Sequence, residues 1–300
     1  MKINLQLPAI VSLTRRNVKL FLRDKAAVFF SFLSTLIMVA LYFLFIAKIY
    51  STSLAEGAGF TDGKAADFLI YLQMMAGVLI LNSMSLSMGV FGVIAKDFET
   101  KRVDGFLLTP VKARQLTVSY YVAAFIVSLV LNVLTWIASA VLIGALTGHW
   151  IGAGAFLAVF GILAAASLVS CSLMLFVTVL VKSSVAIGVI GGISGTFFGF
   201  LCGIYMPYSN LGKGAKIVGS YLPFTHLTIW LKQTVLNDAF GLLNIAGELK
   251  DAMMSDYFTA ASVGFSGIDA PLWVMLIACG VFALGCLIAA SIILKRRIER

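Results

Sequence analysis

Between Gln115 and Val181 this chain runs for 67 residues without a single Asp, Glu, Lys or Arg. A soluble fold cannot hide an uncharged stretch of that length, so its solvent must be lipid. Further uncharged runs cover 26–47, 68–95, 183–212 and 270–294. A helix needs about 20 apolar residues to cross a bilayer, so each of these four runs holds one span. The run of 67 holds two, divided at Thr147-Gly148-His149-Trp150-Ile151-Gly152, where glycines allow a tight reversal and Trp150 suits the headgroup level. Spans are expected at roughly 26–47, 68–95, 116–146, 152–181, 184–205 and 271–294. In lipid each backbone polar group must be satisfied within its own segment, which makes the spanning elements helical. The expected fold is an all-α integral membrane protein with six transmembrane helices.

Composition agrees. Apolar residues make up 61% of the chain and charged residues 12%, about half the charged share of a soluble domain. The formal charge of +9 invites a nucleic-acid partner. The basic residues, however, cluster at the ends of apolar runs, where they fix topology, and no nucleic acid is expected. Cys171, Cys202, Cys279 and Cys286 all sit inside apolar runs, as small hydrophobes rather than a disulfide framework. The first apolar run is too long for a signal-peptide core and has no small-residue cleavage site, so it is expected to stay as the first span.

Orientation follows from basic-residue asymmetry. With the N-terminus inside, the cytoplasmic pieces 1–25, 96–114, Lys182 and 295–300 carry 16 of the 22 Lys and Arg. The outer pieces carry eight of the 13 acids. Both termini are therefore expected in the cytoplasm, at the cell (inner) membrane. The segment 217–246 is apolar enough to tempt a seventh span, but it contains Pro223, Lys232 and Asp238, and a seventh span would put the basic tail outside. It is read as a helical hairpin that dips into the outer leaflet or lies on it. With no internal repeat or linker, residues 1–300 form a single domain, with an outer re-entrant segment at 205–269.

Four features bear on function. The first is Ile10–Lys25, where Ser12, Arg15, Arg16, Lys19 and Arg23 share a helical sector about 100° wide and apolar side chains fill most of the rest. This is an amphipathic interfacial helix with its basic side toward headgroups and cytoplasm; a plain anchor is the alternative. The second is the inner loop 96–114. Asp97, Phe98, Glu99, Lys101 and Arg102 give it mixed charge, and Gly105, Phe106 and Leu107 open an apolar stretch that ends at Thr109-Pro110. Mixed charge beside aromatics suits a docking surface; the alternative is a solvated connector. The third is the small-residue stripe Gly191, Gly195, Gly199 and Gly203 on the fifth span, which lets another helix approach closely, either within the chain or at a dimer seam. The fourth is what the sequence lacks. No Gly-x-x-x-x-Gly-Lys-Ser/Thr phosphate loop occurs, so the chain is not expected to hydrolyse ATP. His149 and His226 are isolated, and no metal-ligand cluster is present.

The order of these parts resembles the permease subunits of type-2 ABC exporters. A basic amphipathic helix ending Leu22-Arg23-Asp24-Lys25 runs into the first span. After the second comes a charged turn with Gly105-Phe106-Leu107-Leu108-Thr109-Pro110-Val111, and an outer segment with Tyr221-Leu222-Pro223-Phe224-Thr225 precedes the last. The resemblance covers essentially the whole chain. It implies a pair of permeases, identical or homologous, bound to two copies of a separate ABC ATPase that carries the ATP and Mg. Residues 96–112 would be the coupling segment and 3–25 the connecting helix. The second and fifth spans would line the substrate path, with Gln73, Asn82, Ser83, Ser85, Phe197 and Phe198 on its walls. Uncharged walls suit an amphipathic cargo such as a drug, antimicrobial peptide, lipid or glycan. The outer segment 247–269, with Glu248, Lys250, Asp251, Asp256 and Asp269, departs from the pattern. Two other readings compete. A non-transporting sensor or immunity subunit would share this architecture. An ion-coupled carrier would place an ionisable residue at mid-membrane, and the charge-free spans argue against it.

Overall fold

The computed structural model describes residues 7–41, 63–102, 105, 111–181, 183–202, 211–242 and 272–298. Among them are nine helices: α1 (Leu7–Arg23), α2 (Lys25–Leu41), α3 (Gly63–Glu99), α4 (Ala113–Thr147), α5 (Ala153–Leu180), α6 (Ser184–Leu201), α7 (Lys213–Ser220), α8 (Pro223–Leu242) and α9 (Leu272–Ile298). Five of these, α3, α4, α5, α6 and α9, are long and apolar enough to cross a membrane. The expected first span, 26–47, is described only as the 17 residues of α2; its remainder lies outside the described residues, as does the segment 247–269.

Helix boundaries follow local chemistry. Asp24 separates α1 from α2. Its carboxylate accepts the Ala27 N–H at 2.9 Å, the bond of an N-cap, so a new helix begins with a single residue between it and the old one. α4 opens with the Gln115 side chain accepting the Lys112 N–H at 2.9 Å. It closes at Gly148, whose φ of 77° is the left-handed geometry a helix stop favours. The expected hairpin at 147–152 is formed, and the Trp150 indole lies against Gly144, where a Cβ would stand 2.6 Å from its ring.

α3 is the central helix. It packs against α2, α4, α5, α6 and α8 and is buried along most of its 37 residues. At 1.5 Å per residue it is about 55 Å long, well beyond the hydrocarbon core, so both its ends project. Mid-helix, polar side chains join α3 to α4 and α5. The Asn82 amide donates to Asn132 at 3.0 Å and to Thr135 at 3.2 Å, and Asn132 donates back to the Leu79 carbonyl at 3.2 Å. Ser83 and Ser170 share a bond of 2.9 Å, and Ser87 reaches Ser128 at 3.3 Å. Where lipid offers no hydrogen bonds, such pairs hold helices together.

The hairpin expected at 217–246 is two unequal helices. α7 has eight residues and α8 has 20. α8 does not lie on a surface: it packs against α3, α5 and α9 and buries Phe224, Leu231, Leu236 and Phe240, with Lys232 among them. Its Asp238 accepts the Gly152 N–H at 2.7 Å and so caps the start of α5.

α1 divides into three sectors rather than the expected two. Leu13, Thr14, Asn17 and Phe21 are buried, and the helix packs chiefly on α4. Leu7, Val11 and Leu22 form an exposed apolar strip. Arg15, Lys19 and Arg23 form an exposed basic strip beside it.

Candidate functional site

The last turn of α3, Lys96 to Glu99, is a junction. Successive residues of a helix point about 100° apart, so four in a row face four directions, and here each direction meets another element. Lys96 donates to Asp24, at the α1–α2 break, at 3.2 Å. Asp97 is buried and accepts two bonds from the Arg16 guanidinium of α1, at 2.8 and 3.2 Å, and one from the Tyr120 hydroxyl of α4 at 3.4 Å. The Phe98 ring lies 6.0 Å from that of Tyr120. Glu99 accepts the Ser184 N–H at 2.6 Å and its hydroxyl at 2.8 Å, which seats a carboxylate on the N-terminus of α6, where the helix dipole favours negative charge. One turn thus fastens α1, the start of α2, α4 and α6. The Asp24 carboxyl is held below its ordinary pKa of 3.8, first by the Ala27 N–H and then by Lys96.

Immediately beyond this turn the chain leaves the helix. Lys101 adopts a left-handed φ of 53°, a helix-stopping geometry usually left to glycine, and the inner loop begins. The sequence gives the first part of that loop helical character, and in the structure residues 96–99 continue α3 as its last turn. Of the expected coupling residues, Asp97 is buried and held by Arg16 and Tyr120. Phe98 is half-buried, and Lys101 and Arg102 are exposed, with Arg102 reaching Asp97 at 4.0 Å. Gly105 is exposed; Phe106 and Leu107 lie outside the described residues.

Above the junction lies a slot of about 430 Å³ between α2, α3 and α6. Phe30 and Ser31 of α2, Ser85 and Met88 of α3, and Gly188 and Gly195 of α6 are on its walls, with Lys96 and Ser184 also on them. Two close approaches hold it: Gly89 of α3 sits against Ser31, and Gly191 of α6 against Met88. The other wall glycines are different. A Cβ built at Gly92, Gly188, Gly192 or Gly195 would meet nothing within 4 Å, so there the missing side chains make open space.

Measured against the slot, the expected path residues divide. Ser85 and Asn82 are on its wall, although the Asn82 amide is engaged by α4. Ser83 is buried and faces Ser170 of α5, away from the slot. Gln73 is half-buried on α3, outside the lining. Phe197 is exposed, and Phe198 packs on Phe224 of α8, ring to ring at 5.1 Å; neither touches the slot. Of the stripe, Gly191 makes the close helix contact and Gly199 is buried, Gly195 opens on the slot, and Gly203 lies outside the described residues. Arg16 is in the junction, while Arg15, Lys19 and Arg23 stay on the surface of α1. The sequence reading missed Ser184 and Tyr120. No local signal marks either, since each acquires its role from a residue far along the chain.

No curated protein matches the chain. A family model described as ABC-2 family transporter protein matches residues 61–292. The match contains α3 and α6, which form most of the slot, together with the junction at the end of α3, and it covers well over half of the chain. A bundle of apolar helices long enough to cross a membrane and this family match lead to one conclusion: the chain belongs to the ABC-2 family of transporter membrane proteins.

Proposed function

We propose that this chain is the permease subunit of an ATP-driven exporter, and that it moves an amphipathic substrate out of the cytoplasm or the inner leaflet along the slot between α2, α3 and α6. Six spans with both termini in the cytoplasm fit the basic-residue asymmetry, with α2 as the first span. ATP and Mg belong to a separate ABC ATPase, two copies per pair of permeases, docking on the loop 100–112. The single observation that carries this reading is the junction. The turn of α3 that grips α1, α2, α4 and α6 lies directly against the loop on which an ATPase would push, and directly beneath the slot. The exposed strips of α1, apolar beside basic, suit a helix lying in the inner headgroup layer.

Co-expression with its ABC ATPase tests the reading. The expected results are a stable complex and ATP hydrolysis in proteoliposomes that rises when a fluorescent amphiphile is added and moved across the membrane. Phe106→Ala should weaken ATPase association, because aromatic anchors dominate interfaces at about 2 kcal/mol or more. A chain that inserts normally but recruits no ATPase would overturn the proposal.

A further inference from the structure

We infer that Glu99 is a positioning residue: by clasping Ser184 it carries movement of the inner loop to α6 and so to the wall of the slot. This inference rests on the permease reading above, and it changes what Glu99 is for. The sequence offers Glu99 as a charge for the ATPase surface. In the structure both of its oxygens are occupied by one residue of α6, at 2.6 and 2.8 Å.

Three observations make the clasp mechanical. First, among the described residues α6 packs chiefly on α3, and Val185, Val189, Ile193 and Phe197 are exposed along its outer side. The two bonds at its first residue, on the exposed side, tie that end to the last turn of α3. Second, the close approach of Gly191 to Met88 gives α6 a pivot. Ser184 stands seven residues before it, a lever of about 10 Å, and Gly188 between them lines the slot. Displacing the Ser184 end about that pivot widens or narrows the slot. Third, only Thr100 separates Glu99 from Lys101, where the helix has already turned into the loop. There is little slack between the loop and the clasp.

Ser184→Pro separates this role from docking. Ser184 is the first residue of α6, a position where proline is well tolerated. Ser183 before it has φ −114° and ψ 130°, the conformation that a following proline requires. The substitution deletes both Ser184 donors to Glu99, leaving it only the Ser183 hydroxyl, and keeps the Glu99 carboxylate available to any ATPase. After Cys286, the half-exposed native thiol, is replaced by Ser, spin labels are placed at Val189 on α6 and Leu168 on α5, both exposed. The distance between them is read in the permease–ATPase complex with and without ATP and vanadate.

The wild-type complex should show an ATP-dependent shift in that distance. Ser184→Pro and Glu99→Ala should both lose it while the ATPase still copurifies in the wild-type amount. Glu99→Gln keeps one acceptor oxygen and should retain part of the shift, which preserves the comparison if Ser184→Pro does not fold. A wild-type shift in Ser184→Pro, with ATPase binding lost only in Glu99→Ala, would make Glu99 a docking charge and overturn the clasp. So would no shift in the wild-type complex. A wild-type chain that binds no ATPase at all overturns the permease reading instead.

Discussion

Arg16 of α1 grips Asp97 of α3 with two hydrogen bonds of 2.8 and 3.2 Å, across 81 residues of chain. Asp97 is 4% exposed and Arg16 is 30% exposed, so the two partners stand in different dielectric surroundings. Their removal should have unequal cost. Arg16→Ala leaves the buried carboxylate only the Tyr120 hydroxyl at 3.4 Å and the more distant Arg102 at 4.0 Å, and should cost about 2 kcal/mol. Asp97→Asn leaves a guanidinium that can still reach water, and should cost about 1 kcal/mol. Thermal unfolding in detergent measures both. Equal costs would mean that Asp97 is solvated.

The slot glycines should separate into two classes on substitution. Gly188→Leu and Gly195→Leu add a side chain where nothing stands within 4 Å of the Cβ. These variants should fold and bind the ATPase normally yet block the slot. Gly89→Leu and Gly191→Leu would drive a side chain into Ser31 or Met88 and should impair assembly. Size-exclusion profiles and amphiphile transport, compared across the four variants, check the division. Normal transport in Gly195→Leu would remove the slot from the substrate path.

Asp238 ties α8 to the first residues of α5 through the Gly152 N–H. Asp238→Ala should cost about 1 kcal/mol, the worth of a lost hydrogen bond, whereas Asp238→Asn keeps an acceptor and should cost less. Unfolding midpoints of the two variants give the answer. If they fall together, charge rather than the capping bond matters there.

Asp24 gives a prediction about pH. Its folded pKa lies below 3.8 because the Ala27 N–H and Lys96 favour the carboxylate. A depressed carboxyl contributes stability that is fully present above the unfolded pKa and is lost as pH falls through the folded one. The stability difference between wild type and Asp24→Ala, about 1 kcal/mol from the cap, should therefore be constant from about pH 5 to pH 8 and shrink only in stronger acid. Unfolding midpoints across that range test it. A difference that changes near neutrality would point to another group.

How much was legible in the sequence can be read at particular residues. The positions of the helices were legible because lipid tolerates no charge, so Lys96 and Arg114 stand close to real boundaries. Gly148 announced a stop by local chemistry alone, whereas Asp24, read as part of the helix Ile10–Lys25, was revealed as a cap only by the structure. The sequence also pointed to the second and fifth spans and to the inner loop that follows the second. Their partners were not legible. Ser184 meets Glu99 across 85 residues, and Ser83 finds α5 rather than the slot. Gly191 is packed while Gly195, one turn on, is open. A helix presents every side of itself to something, and the pattern of residues reveals which sides are apolar but not which neighbour each will meet. That pairing depends on how the helices assemble, and only the tertiary structure decided it.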